Sequence, residues 1–199
     1  AEGCRLFASA TLCEALAVRR CAPEARILVL GDTPPRDAAI LHAHRIAQCV
    51  HSLSYAAALS AAAYAPVSVH WKLDTGMHRL GFSCEAEGLD ALLRAAALPH
   101  LQSEGLFTHA ADAAHRVGVK TARQHADFLR AYSYLCAKGL SVCYVHTQNS
   151  AALVNHSFCE GNASRAGILL YGYGTPDVRP VLSWESRVVA SHRVKKGES

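Results

Sequence analysis

Short apolar runs alternate along this chain with longer segments in which apolar residues recur every three or four positions. The short runs predict strands that are buried on both faces, and the longer segments predict helices that cover them. Regular alternation of this kind is typical of parallel β/α units. Strands are predicted near residues 7, 28, 48, 70, 106, 144 and 169.

The helix boundaries follow from residues with known positional preferences. Thr11 and Glu14 form a capping-box pair, whose hydroxyl and carboxylate satisfy the first free amides of a helix predicted to reach Arg20. Gly139 after Lys138 predicts the end of another helix. Further helices are predicted to begin at Pro34 and Pro35, to cover residues 55–63, 87–97 and 128–136, and to begin at Ser150.

These units predict an α/β fold, a (β/α)₈ barrel of the TIM type that lacks one strand. A complete barrel has eight strands and about 250 residues, whereas this chain has 199 residues. Because the chain opens directly at a β/α unit, we expect the absent strand to be the first. Residues 180–199 lack helical spacing, so we expect the incomplete barrel over residues 1–178 and the start of a truncated, β-rich C-terminal domain over residues 179–199.

Composition and charge narrow the class of partner. An apolar fraction of 51% and a charged fraction of 18% are those of a globular protein. The net charge of +4 is spread along the chain without Lys/Arg clusters, which argues against nucleic acid and favours a small acidic ligand. With no apolar run of roughly 20 residues and no signal-peptide pattern, we expect a cytoplasmic protein that does not bind a membrane.

The chain contains eight cysteines, which are scattered and never form a C-x-x-C pair. Most of them lie inside apolar periodic segments. We therefore expect buried, reduced thiols.

Polar residues gather at the predicted ends of several strands. They are Lys72, Asp74 and Arg79 after one strand, His109 after the next, His146, Asn149 and Ser150 after the third, and Arg165, Gly167 and Ile168 beside the last. Barrel enzymes place their active residues at the carboxyl ends of their strands. We therefore expect these side chains to share one site.

One part of this site has the features of a phosphate anchor. Ser150 begins a predicted helix, where unpaired amides and the positive end of the helix dipole attract an anion, and Gly167 and Ile168 offer further amides. Barrels commonly bind phosphate at the loops after their last two strands. In isolation, Asn149 and Ser150 are better explained as helix caps. Together with Gly167 they favour a phosphate site.

Three strings of residues carry a resemblance to a known family. Residues 72–81 read KLDTGMHRLG, which resembles the signature of the bacterial alanine racemases. The strings HTQNS at residues 146–150 and RAGI at residues 165–168 resemble further segments of that family. The resemblance implies an isomerase that uses pyridoxal 5′-phosphate to interconvert L-alanine and D-alanine, and that supplies D-alanine for cell-wall peptidoglycan.

The resemblance also implies roles in cofactor binding. The segment with His146, Asn149 and Ser150 supplies phosphate contacts, and in the segment with Gly167 and Ile168 the side chain of Arg165 faces the pyridine nitrogen. His109 packs against the ring, and Leu28 forms an apolar wall. A guanidinium keeps its own proton, so the pyridine nitrogen stays largely unprotonated and the cofactor is a weaker electron sink. That property suits a racemase. Taken alone, His109 and Leu28 would be ordinary core residues.

Two further residues are implied to act near the substrate. Arg79 corresponds to the family arginine that contacts the phenolic oxygen of the cofactor and helps to receive the substrate carboxylate. A free Lys72 ammonium would repel Arg79, and the resemblance implies that Lys72 is carbamylated, which gives an anion that orients Arg79. Arg79 and His109 are therefore the candidate catalytic residues, both in supporting roles.

The two proton-transferring groups of the family do not occur in this chain. Two-base racemization needs one proton acceptor on each face of the α-carbon. The family uses the cofactor-binding lysine of a K-x-x-x-Y-G-H-G motif and a tyrosine that acts across a dimer interface. No lysine of this chain has that context. We therefore expect the chain alone to be inactive and the parent enzyme to be a homodimer.

Two alternatives remain open: a serine racemase of the same family, and a non-catalytic pyridoxal-phosphate homeostasis barrel, which the β-rich segment after Pro180 disfavours. The triplet DTG at residues 74–76 also matches the aspartic proteases. That class requires an all-β fold and a second aspartate of the same kind, which this chain lacks, so it is disfavoured. His42 and His44 lack the neighbours of a zinc site, so no metal is expected.

Overall fold

The computed structural model describes residues 3–115, 118–156 and 161–198. Its strands are β1 (Leu6–Ser9), β2 (Arg26–Val29), β3 (Ile46–Val50), β4 (Val67–Asp74), β5 (Phe82–Ser83), β6 (Leu101–Phe107) and β7 (Tyr144–His146). Its α-helices are α1 (Leu12–Cys21), α2 (Ala38–Ala43), α3 (Leu53–Ala62), α4 (Ala86–Ala96), α5 (Val119–Ala137) and α6 (Ser150–Asn155). Short 3-10 helices cover Pro35–Asp37 and Ile168–Tyr171.

The strands form one parallel sheet. Their order is β1, β2, β3, β4, β6 and β7, and the short β5 pairs with the end of β4. Each strand on the main path therefore pairs with the next one along the chain, through a connection that contains a helix. This is the topology of a β/α barrel. The prediction of an incomplete parallel β/α barrel is confirmed.

The core lies between the sheet and the helices on its outer face. β3 is buried along its whole length, and Trp71 and Leu73 of β4 are fully buried. Leu59 of α3 and Phe128 of α5 pack into the same cluster. Trp71 also donates its indole N–H to Ser103 Oγ at 2.9 Å. This bond satisfies the polar atom of a large buried ring.

Local residues set two helix boundaries as predicted. Thr11 Oγ1 accepts the N–H of Glu14, and the Glu14 carboxylate accepts the N–H of Thr11, so the capping box at α1 is present. Gly139 follows α5 with a φ of 93°. This is the left-handed conformation that ends many helices and that glycine adopts without a steric cost.

The strand predicted near residue 169 is wrong. Residues Ile168–Tyr171 form a 3-10 helix instead, closed by Gly172 at a φ of 82°. Its amides bond locally, from Leu170 to the Gly167 carbonyl and from Gly172 to the Leu169 carbonyl. Within the described residues, the pairing expected of a last strand is reduced to one parallel bridge between Asn149 and Arg165.

The final segment carries exposed apolar side chains. Residues 180–198 form no strand in the described part of the chain. Val181, Trp184, Val188 and Val189 are all exposed. The division of the chain at residue 178 and the β-rich second domain stay predictions.

The cysteine side chains differ from expectation. Among the described cysteines, Cys4, Cys13, Cys21, Cys136 and Cys143 are exposed, Cys84 is partly exposed and Cys49 is buried. The prediction of buried thiols is therefore wrong for most of them, although none of them forms a disulfide within the described ranges. Cys159 lies outside the described residues.

Among the described residues, none of the helices combines the length and the apolar character that a membrane span requires.

Candidate functional site

A cavity of about 660 Å³ lies at the carboxyl ends of the strands. Its lining includes all the residues that the sequence analysis assigned to cofactor or substrate: Leu28, Lys72, Arg79, His109, His146, Asn149, Ser150, Arg165, Gly167 and Ile168. Side chains that are far apart in the sequence therefore meet in one place, while their chemical roles stay predictions. Asp74, the remaining polar candidate, does not line the cavity.

Arg165 is held by four hydrogen bonds. Nη1 donates to His146 Nδ1 at 2.6 Å and to the His146 carbonyl at 2.9 Å. Nη2 donates to the carbonyls of Thr108 at 2.7 Å and Thr147 at 3.4 Å. Burial lowers the pKa of Arg165 to about 10, so the guanidinium is still positive at neutral pH. Its Nε–H has no acceptor within the described residues and is free for a ligand.

His146 is a buried, neutral ring. It stacks on Phe107 with the ring centroids 4.6 Å apart. Burial, and then the charge of Arg165, lower the pKa of His146 well below its usual value. Because arginine can only donate, His146 Nδ1 must accept, and the proton of the neutral ring lies on Nε2. Arg165 thus fixes which nitrogen of His146 carries the proton.

His109 is a second neutral ring at the cavity wall. Burial, followed by the charges of Arg165 and Arg79, lowers the pKa of His109 to about 4. Its Nε2 lies 3.3 Å from Asn149 Nδ2, which also donates to the Ala110 carbonyl at 3.2 Å. At neutral pH His109 therefore presents an uncharged aromatic ring.

Asn149 and Ser150 connect α6 to the segment at residue 167. Asn149 caps the helix, because its Oδ1 accepts the N–H of Ala152 at 2.9 Å. Ser150 Oγ accepts the N–H of Gly167 at 2.8 Å and keeps its own proton for donation. A Cβ added to Gly167 would meet nothing nearer than Ser150 Oγ at 3.9 Å, so the space beside this glycine is open.

Lys72 and Arg79 are the two other cations of the cavity. Lys72 is 5% exposed, and its amine makes no hydrogen bond or ion pair within the described residues. Its Nζ lies 6.0 Å from the centre of the Phe107 ring. Burial lowers the pKa of Lys72, and the charge of Arg79 adds to this effect. Arg79 itself is exposed, so it can move toward a ligand.

Asp74 anchors the loop that carries Arg79. Its Oδ1 accepts the backbone N–H groups of Gly76 at 2.9 Å, Met77 at 3.0 Å and His78 at 3.0 Å. Burial alone would raise the pKa of Asp74, but these three bonds lower it below the usual value. The carboxylate therefore serves the backbone and not a ligand, which differs from its inclusion among the candidate site residues.

Phe107 lines the cavity and His70 contacts His146 from beneath it, and both were missed by the sequence analysis. Phe107 pairs in register with Lys72 on one side and His146 on the other, so it separates these two side chains at the cavity floor. His70 lies one residue pair lower on β4 and contacts His146. Side chains alternate along a strand, so His70 lies on the same face as Lys72, and Phe107 lies on the same face as His109. That signal could have found them.

Fold and site together define a parallel β/α barrel domain with a cationic, aromatic cavity at the carboxyl ends of its strands. The family model described as alanine racemase, N-terminal domain, matches residues 1–175. The chain therefore belongs to the alanine racemase family.

Relatives and solved structures agree with this assignment. The chain is 33% identical to the alanine racemase of Helicobacter acinonychis over 99% of this chain and 56% of that protein. It is 32% identical to that of Clostridium tetani, over 99% and 54%. The chain thus spans about half the length of the curated relatives it matches.

Among solved structures, the alanine racemase of Clostridium difficile 630 in complex with cycloserine superposes with a TM-score of 0.81 at 30% identity, over 87% of this chain and 49% of that one. The enzyme from Bacillus anthracis with bound L-Ala-P gives 0.77 at 33% identity, over 89% and 47%. These matches extend the likeness from sequence to fold.

Proposed function

We propose that this chain is the cofactor-binding barrel of an enzyme that uses pyridoxal 5′-phosphate to interconvert L-alanine and D-alanine, and so supplies D-alanine for peptidoglycan. The observation that carries the proposal is the meeting of Ser150, Arg165 and Arg79 on one cavity in a chain of the alanine racemase family. When bound, the cofactor withdraws electrons from the α-carbon of the amino acid.

The phosphate would be held where α6 approaches residue 167. Ser150 has a hydroxyl proton to donate, and the open space beside Gly167 admits a bulky anion. Ile168 adds a backbone N–H donor to this wall of the cavity, while the Gly167 N–H is already donated to Ser150 Oγ. Asn149 caps α6, which carries Ser150, and His146 holds Arg165 in place.

Arg165 would face the nitrogen of the cofactor ring. Four of its N–H groups are bonded to protein acceptors, which leaves Nε–H as the donor available to that nitrogen. A guanidinium with a pKa of about 10 holds its proton at neutral pH and so donates a hydrogen bond without transferring the proton. Leu28 and the neutral ring of His109 would pack against the faces of the cofactor.

Arg79 would receive the carboxylate of the amino acid. A guanidinium binds a carboxylate through two parallel hydrogen bonds, which also orients the α-carbon. We further propose that Lys72 is carbamylated and that its negative charge holds Arg79 in place. The family resemblance implies that a second copy of the protein completes the site. We therefore propose a homodimer as the active form.

Binding of the cofactor tests the phosphate part of the proposal. We expect the chain to bind pyridoxal 5′-phosphate more tightly than pyridoxal, by fluorescence titration, because only the former carries the phosphate. Ser150→Ala should reduce this difference by about tenfold, the equivalent of one charge-assisted hydrogen bond. Leu153→Ala on the same helix, outside the cavity, is the matched control and should leave it unchanged. Equal affinity for both compounds would contradict the proposal.

Exchange at the α-carbon tests the reaction itself. In deuterium oxide, the whole protein should incorporate deuterium into L-alanine as D-alanine appears, which proton NMR follows directly. Arg79→Lys should weaken the reaction strongly, since a single ammonium cannot form the paired bonds of a guanidinium. If the protein binds the cofactor but exchanges no α-proton, the proposal of a racemase is contradicted and a cofactor carrier is favoured instead.

A further inference from the structure

His70 is a buried histidine that none of the proposed contacts with cofactor or substrate uses. It lies on β4 and is 1% exposed. Its ring reaches past the neighbouring strand β6 to two residues of β7. It lies 6.0 Å from the Tyr144 ring, in a nearly parallel stack, and its Nδ1 is 2.8 Å from His146 Nε2.

Gly105 makes this reach possible. It is the residue of β6 that pairs in register with His70 on one side and Tyr144 on the other. A Cβ at residue 105 would lie 2.3 Å from His70 Nδ1 and 2.5 Å from its Cε1, closer than atoms can approach. Only glycine at this place lets an imidazole lie across the strand.

The hydrogen bonds of this cluster have one possible direction. Arg165 donates to His146 Nδ1, so the proton of the neutral His146 ring is on Nε2. Nε2–H must then donate to His70 Nδ1, and His70 in turn carries its own proton on Nε2. Arg165, His146 and His70 thus form a chain of donors that begins at the guanidinium and ends at His70.

We propose that His70 is a positioning residue: as the terminal acceptor of this chain, it holds His146 in the tautomer whose Nδ1 lone pair fixes Arg165. The role of Arg165 in facing the nitrogen of the cofactor ring rests on the proposed function. Without an acceptor at residue 70, His146 Nε2–H would be a buried donor with no partner, a cost that opposes this tautomer. The alternative tautomer would point a ring N–H at the guanidinium and release Arg165.

The wild-type tautomers are the direct test. The chain labelled with nitrogen-15 in histidine, without cofactor, should show His146 and His70 each protonated on Nε2 and unprotonated on Nδ1 at neutral pH. This spectrum requires no variant and is decisive even if substitutions at residue 70 prevent folding. A His146 ring protonated on Nδ1, or on both nitrogens, would overturn the proposal.

Two substitutions separate positioning from packing. His70→Asn offers an amide oxygen near the position of Nδ1 and should keep the His146 tautomer. His70→Phe keeps a ring but removes the acceptor, and should shift the tautomer ratio of His146 by about tenfold or more. Tyr144→Leu removes the ring that stacks on His70 while leaving the hydrogen bonds, and should not change the tautomer. An unchanged ratio in His70→Phe would also overturn the proposal.

Cofactor affinity distinguishes this proposal from the proposed function. We expect His70→Phe to weaken binding of pyridoxal 5′-phosphate about tenfold and His70→Asn to retain it within about twofold. If the wild-type chain does not bind the cofactor but shows the tautomers described, the proposed function fails and the hydrogen-bond chain stands. If it binds the cofactor equally well in all three forms, His70 has no positioning role and the proposed function stands.

Discussion

At the scale of single residues, the cavity combines three cations with two uncharged imidazole rings. Arg165 keeps its charge at neutral pH because a guanidinium rarely loses a proton. His109 and His146 stay neutral because burial and the charge of Arg165 lower the pKa of each ring, and Arg79 adds to this effect at His109. Lys72 is the exception, since a nearly buried ammonium without a partner is costly. The proposed modification of the amine would remove that cost.

We expect Lys72 to react with carbon dioxide. The ammonium first loses one proton. A bond then forms between Nζ and the carbon of carbon dioxide while one C=O π bond opens and places its electrons on oxygen. Nζ releases a second proton, so a positive group becomes a negative carbamate. Burial favours the unprotonated amine that reacts. With carbon-13 bicarbonate in the buffer, carbon NMR should show a carbamate signal that Lys72→Gln abolishes. Lys138→Gln, at an exposed lysine, should retain it. A wild-type spectrum without this signal would contradict the prediction.

The sequence was sufficient to predict which side chains meet at the cavity, for a physical reason. Lys72, Arg79, Ser150 and Arg165 lie in short strings at strand ends, where the fold itself brings residues together. Contacts across strands could not be predicted in the same way. The placement of Phe107 between Lys72 and His146 depends on the register of three strands, which the order of residues along the chain does not specify.

At the scale of elements, the strands were predictable where both faces are buried and not where local bonds compete. β4 alternates apolar and polar residues and β3 is a mostly apolar run, and both strands were placed correctly. The run at residues 168–171 looks the same in sequence, yet two flanking glycines and the Ser150 hydroxyl turn it into a 3-10 helix. β5 escaped prediction because two residues are too few to show a period.

The turn that joins β4 to β5 should be sensitive to substitution. Gly81 has a φ of 134°, and a Cβ there would lie 2.6 Å from the Asp74 N. Gly139 also has a positive φ, but a Cβ there would meet nothing within 4 Å. We expect Gly139→Ala to lower the free energy of unfolding by about 1 kcal/mol through backbone strain alone. Gly81→Ala should cost at least about 2 kcal/mol more.

Urea denaturation measures both free energies. Equal costs for the two substitutions would show that the backbone at Gly81 moves freely, against the tight turn described for this loop. Cofactor affinity should fall only for Gly81→Ala, because this turn supports Arg79 and Gly139 lies at the far end of α5.

At the scale of the whole molecule, buried neutral histidines make the fold sensitive to acid. Burial lowers the pKa of His70 to about 4, and burial likewise lowers the pKa of His146 well below its usual value. An unfolded histidine has a pKa of about 6.5. Between these values the unfolded chain binds more protons than the folded one. The free energy of unfolding therefore falls as the pH drops from about 6.5 toward about 4.

We expect each of these two rings to contribute up to about 1.4 kcal/mol per pH unit in that range. Urea denaturation at several pH values measures the slope. His70→Asn should make it shallower, because one buried titrating ring is gone. His44→Asn, at an exposed side chain, should not change it. A free energy of unfolding that stays constant from about pH 6.5 to about pH 4.5 would contradict the prediction.

The three amide bonds that Asp74 accepts have a consequence for how the cavity selects its ligand. Because the backbone of the Arg79 loop is already ordered, the carboxylate binding proposed for Arg79 would restrict only the rotamers of one long side chain, on the order of 2 kcal/mol of entropy. A negative group at Lys72 would restrict those rotamers in advance. A small amino acid offers little contact area of its own. Its affinity therefore gains most when the binding side chain has already lost its conformational entropy before the ligand arrives.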